Sequence, residues 1–147
     1  MKIGLSKHIK ISYRPDMQTA IIRWQQPVTF TEFKLNCLAI LALAKENSAV
    51  SWLVDCRSKG EVTPQESEWL CDEFYPKALQ QVSPQLVIGW LLNPRQMQRL
   101  KEGEKLHAIS APCPDVRREA FMTEQDAVQW LEQSVMEMIK SQKQGRA

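Results

Sequence analysis

Glycine is scarce in this 147-residue chain, and its five copies are scattered rather than clustered. A loop that cradles phosphate groups needs closely spaced glycines, so neither a Walker loop nor a Rossmann loop is predicted. The chain also contains no Gly-x-Ser-x-Gly, His-Glu-x-x-His or Asp-x-Asp pattern. These absences remove common signatures of hydrolases, metalloproteases and nucleotide-binding enzymes. We expect a protein that is not an enzyme and that holds no cofactor.

Cysteine and histidine are too dispersed to suggest a metal site. The four cysteines form no Cys-x-x-Cys pair and lie far apart, at Cys37, Cys56, Cys71 and Cys113. The two histidines that could join them are His8 and His107. Structural zinc sites draw on local ligand pairs, so we predict no metal. Because residues 1–10 contain no apolar core of a signal peptide, the thiols are expected to be reduced.

Long hydrophobic runs and a strong charge of one sign are also missing. The longest apolar run covers residues 37–44, far below the roughly 20 residues that span a bilayer. The net charge is only +2, and the basic residues form no stripe. The sequence therefore predicts a soluble, cytoplasmic protein without a nucleic-acid or membrane partner.

Strand and helix signals alternate along the chain. Residues 8–13 and 17–24 flank a turn at residues 14–16 and predict an opening β-hairpin. Thr29 and Thr63 each stand three residues before a glutamate, the pattern of a capping box that begins a helix. The first helix is expected to end near residue 46. The second has a proline at its first helical position and is expected to be interrupted near Pro76.

The second half of the chain continues this alternation. Apolar runs at residues 49–54 and 85–92 predict buried strands. A short helix is expected at residues 95–102, a strand at 106–110, a loop at 111–119 and a final helix that Thr123 begins. The order β-β-α-β-α-β-α-β-α predicts an α/β fold with a mixed, mostly parallel sheet and about four helices. Residues 1–147 are expected to form one domain, with a flexible tail at 141–147.

The first predicted helix carries more apolar surface than one core-facing stripe needs. Phe33, Cys37 and Ile40 keep the helical spacing of a core stripe. Leu35, Leu38 and Ala42 fall outside that stripe, and a large exposed apolar patch is uncommon on a monomer. We therefore predict self-association, as a homodimer, through these three residues.

The most polar loop follows the first predicted buried strand. Ligands of open α/β sheets favour the carboxyl ends of the strands. The candidate binding residues at this place are Asp55, Cys56, Arg57, Ser58, Glu61 and Thr63. Asp55 and Arg57 could bind a small polar ligand or hold each other in place. In a third interpretation, Asp55 accepts hydrogen bonds from loop amides while Arg57 lies in solvent.

Cys56 has two features that lower a thiol pKa, a basic neighbour and a helix that follows. A nucleophilic cysteine also needs a base, and nothing in the sequence places His8 or His107 beside it. A small structural cysteine is the interpretation that we favour.

The five tryptophans are Trp24, Trp52, Trp69, Trp90 and Trp130. Four of them fall on predicted core faces and Trp24 ends a strand, so core packing is the first interpretation. A ligand pocket lined by two of them is the alternative.

Two segments resemble STAS-like proteins, the small domains similar to anti-sigma-factor antagonists (SpoIIAA-like). They are Trp52-Leu53-Val54-Asp55-Cys56-Arg57 and Thr63-Pro64-Gln65-Glu66-Ser67-Glu68-Trp69-Leu70. The nearer likeness is to an uncharacterised bacterial branch, which Trp24 and the segment 127–131 also fit. The resemblance implies a non-enzymatic domain that makes contacts through this loop and the following helix.

The same resemblance identifies one departure. In the antagonist family, a serine directly after the aspartate is phosphorylated, and the phosphate switches partner binding. Cys56 occupies that place here, while Ser58 is nearby but out of register. This departure argues against the phosphorylation switch.

Three hypotheses follow from these observations. The first is a non-catalytic interaction or sensory module that binds a protein partner or a second copy of itself. The second is a small-ligand or lipid-binding module, and the third is a thiol enzyme built around Cys56 and Arg57. We rank them in that order.

Overall fold

Strands and helices alternate along the chain in a computed structural model that describes residues 4–5, 7–103, 106–110 and 113–144. The strands of these residues are β1 (Gly4–Leu5), β2 (Ile9–Arg14), β3 (Thr19–Trp24), β4 (Ser51–Asp55), β5 (Leu86–Leu91) and β6 (Val116–Phe121). The helices are α1 (Phe30–Asn47), α2 (Pro64–Trp69), α3 (Tyr75–Gln81), α4 (Pro94–Lys101), α5 (His107–Ser110) and α6 (Glu124–Gln144). A π-helical segment, Leu70–Phe74, joins α2 to α3.

The six strands of the described residues form one sheet, and their order in the sheet is their order in the chain. The pairs β1–β2 and β2–β3 are antiparallel, and the hairpin register places Ile9 opposite Trp24. The pairs β3–β4, β4–β5 and β5–β6 are parallel. The predicted α/β class, with a mixed and mostly parallel sheet that opens on a hairpin, is confirmed.

Each strand sends alternate side chains to opposite faces of the sheet. On one face, residues such as Ile22, Trp52 and Ile88 join a core with α1, α2, α3 and α5. On the other face, Leu53 and Val87 join a smaller core with α6. The helices between the parallel strands therefore lie on one side of the sheet, and α6 covers the other.

Three helices begin with a complete capping box. Thr29 and Thr63 do so as predicted, since each hydroxyl accepts from the backbone N–H three residues later, at 3.2 and 3.1 Å. Asn93 does the same at the start of α4, where its Oδ1 accepts from Gln96 at 2.8 Å. The glutamate or glutamine in each box bonds back to the capping residue's N–H.

The predicted break near Pro76 takes a different form. The helical run continues through Pro76, and the α geometry widens to a π turn just before it, where the Tyr75 N–H bonds to the Leu70 carbonyl. A proline ring collides with the carbonyl four residues earlier in a regular α-helix. A π turn at this point gives the proline ring room. The helical run therefore changes its hydrogen-bond pattern and continues instead of ending.

The strand predicted at residues 106–110 is wrong. Residues 107–110 form the short helix α5, and the last strand, β6, begins within the segment 111–119 that was predicted as a loop and runs past its end. Short apolar runs do not separate helix from strand by periodicity. In β6 the charged residues Arg117 and Glu119 alternate with the more buried Val116, Arg118 and Ala120. That alternation suits a strand at the edge of the sheet.

The last helix extends into the segment 141–147 that the sequence predicted as a tail. Helix α6 continues to Gln144, so residues 141–144 are helical, and residues 145–147 lie outside the described residues. No helix in the part of the chain that the structure describes is long and apolar enough to cross a membrane.

Candidate functional site

The loop between β4 and α2 lies at the carboxyl edge of the sheet, and Asp55, the last residue of β4, stands at its start. Its side chain accepts hydrogen bonds from the Arg57 backbone N–H at 3.1 Å and from Arg57 Nε and Nη2, both at 3.0 Å. A fourth bond comes from Arg23 Nη1 at 2.9 Å. Asp55 is 7% exposed. The structure thus brings Asp55 and Arg57 together, in the arrangement where they hold each other.

Arg23 extends this contact across the sheet. It stands opposite Asp55 in the parallel β3–β4 register, and the same Nη1 atom lies 2.8 Å from a carboxylate oxygen of Glu124 at the start of α6. Two arginines and two carboxylates therefore form one ion-pair network that joins β3, β4 and α6. The sequence analysis missed Arg23 and Glu124, because nothing local in the sequence gives the strand register.

The network decides the charge state of Asp55. Burial raises the pKa of this carboxyl, but hydrogen bonds from Arg57 and Arg23 outweigh burial and hold its pKa below the usual range. The pKa of both arginines is raised, because each donates a hydrogen bond to a carboxylate. All of these groups are ionised at neutral pH, so Asp55 acts here as a fixed anion.

Cys56 lies on the opposite side of the backbone from Asp55, within the larger core. The residue is 1% exposed, and burial raises the pKa of its thiol to about 12. The expectation of a lowered pKa is therefore wrong. The neighbouring Arg57 turns to Asp55, and Lys59 lowers the thiol pKa less than burial raises it.

A buried ion pair holds the far end of the loop. Lys59 Nζ lies 2.7 and 2.9 Å from the two carboxylate oxygens of Glu66, and both side chains are 3% exposed. The same ammonium lies 5.1 Å from the centre of the Phe33 ring. Glu66 also accepts from the Thr63 N–H, so one carboxylate both caps α2 and neutralises Lys59. The sequence analysis did not single out this pair.

Two side chains at the start of helix α4 also hold the loop. Gln96 Nε2 donates to the carbonyl of Cys56 at 2.8 Å and also to the carbonyl of Gly60. Asn93 Nδ2 donates to the carbonyl of Arg57 at 3.1 Å. Gly60 has a φ of +89°, a conformation that suits glycine. With its backbone held in this way, the loop presents a fixed shape.

The remaining candidate residues point in different directions. Ser58 is exposed, while Glu61 is exposed and pairs with Arg99 of α4 at 3.0 Å. Thr63 is half-buried and caps α2. The six candidates therefore share a segment but do not surround one ligand position.

The apolar residues of α1 divide as predicted. Leu35 and Leu38 are 62% and 48% exposed, and Ala39 and Ala42 are exposed beside them. We call these four residues the α1 apolar face. Leu43, by contrast, is buried.

A small cavity of about 30 Å³ lies in the larger core, between the sheet and the helices. Three of the five tryptophans contribute to its wall. The lining residues are Trp24, Phe33, Cys37, Ile40, Trp52, Val54, Leu70, Phe74, Tyr75, Ile88 and Trp90. We call this space the aromatic cavity.

Among the described residues, no group of three or more histidine, cysteine and acidic side chains is placed to hold a metal ion. Comparison of the chain with family models, with curated proteins and with solved structures finds no match.

Proposed function

We propose that this protein is a non-catalytic interaction module of STAS-like type, which acts by binding a second copy of itself. The observation that carries the proposal is the α1 apolar face, where Leu35 and Leu38 are 62% and 48% exposed. Fully burying one leucine side chain contributes roughly 1.5–3 kcal/mol. Burial of two leucines from each of two copies would contribute to a dimer interface in this way.

The anchoring of α1 supports this assignment. The opposite side of the helix is buried in the core through Phe33, Cys37, Ile40 and Ala44. Helix α1 cannot turn its exposed leucines inward without removing those residues from the core. In a single copy the apolar face therefore stays at the surface, where a partner can dock.

The chemistry of the loop also favours contact over catalysis. The Cys56 thiol, with its pKa raised to about 12, is protonated at neutral pH, and the protonated form is a poor nucleophile. The Asp55 carboxylate is occupied by two arginines. A rigid loop that exposes Arg57, Ser58 and Glu61 fits the STAS-like use of this segment as a surface for a protein partner.

Native mass spectrometry and sedimentation velocity test the proposal. We expect the wild-type protein to be a dimer, and the substitution Leu38→Asp to produce a folded monomer, because a charge would be buried at the centre of the interface. Met136→Asp is the matched control, since Met136 is 59% exposed on α6, and this variant should remain dimeric. A wild-type protein that stays monomeric at tens of micromolar would contradict the proposal.

A further inference from the structure

A cleft lies on the α6 face of the sheet, between that helix and the opening hairpin. Helix α6 packs on β4, β5 and β6, and the cleft of about 170 Å³ lies beside it, over β2 and β3. We call it the hairpin cleft, with Lys10, Ser12 and Arg23 on the hairpin strands and Glu124 and Val128 on α6 among its lining residues. An apolar cavity of about 150 Å³ binds benzene, so the hairpin cleft has room for a small organic molecule.

Two cations stand opposite each other in the wall of this cleft. Lys10 of β2 and Arg23 of β3 are partners in the antiparallel register. Their neighbours Ile11 and Ile22 lie in the larger core, so Lys10 and Arg23 both project from the α6 face. Like charges directly opposite each other destabilise a sheet. An anion bound between them would relieve this unfavourable pair.

Lys10 has no carboxylate partner among the residues that the structure describes, whereas Arg23 has two. Arg23 Nη1 lies 2.9 Å from Asp55 and 2.8 Å from Glu124. Together with Arg57, which also pairs with Asp55, these residues form a network without net charge. Lys10 therefore adds one uncompensated positive charge to the hairpin cleft.

The other polar groups of the wall set the charge of a fitting ligand. Arg14, which also lines the cleft, pairs with Asp16 at 2.7 Å and adds no net charge. Ser12 lies between Arg14 and Lys10 on the same face of β2, and its hydroxyl can donate a hydrogen bond. Glu124 would repel a doubly charged anion such as phosphate. The wall therefore favours a ligand with one negative charge.

The deepest part of the cleft is apolar. Ile21 is the partner of Ser12 in the β2–β3 register and of Leu53 in the β3–β4 register. Both apolar residues line the cleft and belong to the smaller core, and Val128 adds apolar surface from α6. This surface suits the hydrocarbon part of a ligand. An inorganic anion would leave it uncovered.

We infer that the hairpin cleft binds a small organic molecule with one carboxylate group and an apolar body. The carboxylate pairs with Lys10 and accepts from the Ser12 hydroxyl, while the body covers Ile21, Leu53 and Val128. Helix α1 lies on the opposite face of the sheet. The inference therefore does not depend on self-association through the α1 apolar face.

Titration of the wild-type protein with benzoate at pH 7 tests the inference. Benzoate should shift the backbone amide signals of β2, β3 and the start of α6 in a ¹H–¹⁵N spectrum, saturably, and leave those of α1 in place. Benzamide keeps the ring but has no charge, so it should bind about tenfold more weakly. Acetate keeps the charge but has no ring and should also bind more weakly. The absence of a saturable shift, or benzamide affinity equal to that of benzoate, overturns the inference.

Two variants locate the carboxylate and the ring. Lys10→Gln should weaken benzoate binding about tenfold and leave benzamide binding unchanged, because only the charge is lost. It should melt no lower than wild type, since a like-charge pair is removed. Ser12→Phe places a ring in the cleft and should abolish binding of both probes.

The control is Lys45→Gln, which makes the same change in net charge at an exposed position of α1 and should keep wild-type affinity for benzoate. Equal benzoate affinity in wild type and Lys10→Gln contradicts the inference, as does unchanged binding to Ser12→Phe. If either variant fails to fold, the comparison of benzoate with benzamide on the wild-type protein decides.

Discussion

At the scale of single residues, Asp55 determines how three elements meet at the carboxyl edge of the sheet. It accepts from two arginines, and one of these, Arg23, also contacts Glu124. Removing the charge of Asp55 would leave two cations with one carboxylate between them. The effect of such a change should extend beyond the loop to the packing of α6.

Asp55→Asn should lower the free energy of unfolding by about 2 kcal/mol at pH 7, since hydrogen bonds to charged groups contribute about 1.5–3 kcal/mol each. The pKa of Asp55 is depressed in the folded state. The stability that it contributes is therefore complete above its unfolded pKa, near 3.9, and is lost as the pH falls through the lower folded value. Urea unfolding of both proteins between pH 7 and pH 3 measures this difference.

The control is Asp16→Asn, which removes an exposed partner of Arg14 in the hairpin turn. Its unfolding curve at pH 7 should overlay that of the wild type. If the difference between wild type and Asp55→Asn stayed unchanged down to pH 3, the carboxylate would not be the source of the stability.

The same residues show what sequence can predict at this scale. The contact of Asp55 with Arg57 was one of three interpretations, because residues two apart in a tight loop can reach each other. Arg23 and Glu124 enter through strand register and through the docking of α6, which no local pattern encodes. The prediction of a lowered pKa for the Cys56 thiol was wrong. The neighbours of Cys56 in the sequence suggested basic surroundings, but its side chain lies in the core.

At the scale of elements, the start of α2 is tied to the preceding loop by charge. Glu66 serves both the capping box and Lys59, and both side chains of the pair are 3% exposed. A buried pair is most sensitive to the loss of one partner, because the other charge is then left without compensation.

Glu66→Gln should destabilise the protein by about 3 kcal/mol, as expected when one partner of a buried pair is removed. The double variant Lys59→Met with Glu66→Gln should recover most of that loss, because neither charge remains and glutamine can still accept from the Thr63 N–H. Thermal unfolding of the three proteins measures both effects. The control Glu61→Gln disrupts only an exposed pair with Arg99 and should leave the melting temperature unchanged. A double variant less stable than Glu66→Gln would show that the unpaired Lys59 charge is not what destabilises Glu66→Gln.

Element prediction succeeded where a local chemical signal exists. The boxes at Thr29 and Thr63 located the starts of α1 and α2, because a hydroxyl and a glutamate three residues apart satisfy specific backbone groups. Between α4 and α6 that kind of signal is lacking. The apolar residues of α5 resembled a strand, while the charged residues of β6 resembled a loop and became a strand only by pairing with β5.

At the scale of the whole molecule, the four cysteines all contact the larger core but differ in their access to solvent. Cys37 and Cys56 are buried in the larger core, whereas Cys71 and Cys113 are partly exposed. Buried thiols can react only when the core opens, and core opening approaches global unfolding.

Iodoacetamide at pH 8 should therefore alkylate Cys71 and Cys113 first. Cys37 and Cys56 should react at a rate that rises with urea in parallel with the unfolded fraction. Peptide mass spectrometry with time measures each site separately. Fast alkylation of Cys56 in the absence of urea would contradict its burial and would favour the thiol-enzyme hypothesis instead.

The fold class was predictable as a whole because alternating strands and capped helices have few stable arrangements. The family resemblance and the function stay predictions. They rest on short motifs around Asp55 and on an exposed helix face. Both features are compatible with a protein-interaction module and with a ligand-binding module. Only binding and assembly measurements can separate the two.

Because each strand lies beside the strand that precedes it in the chain, the sheet can be assembled in the order in which a ribosome makes it. Each newly completed strand finds its neighbour already in place, and contacts between nearby segments form quickly. Helix α6 is synthesised after the six described strands, so one face of the nascent sheet, including Leu53 and Val87, stays bare until α6 has been made. That interval is when the growing chain most needs protection from aggregation.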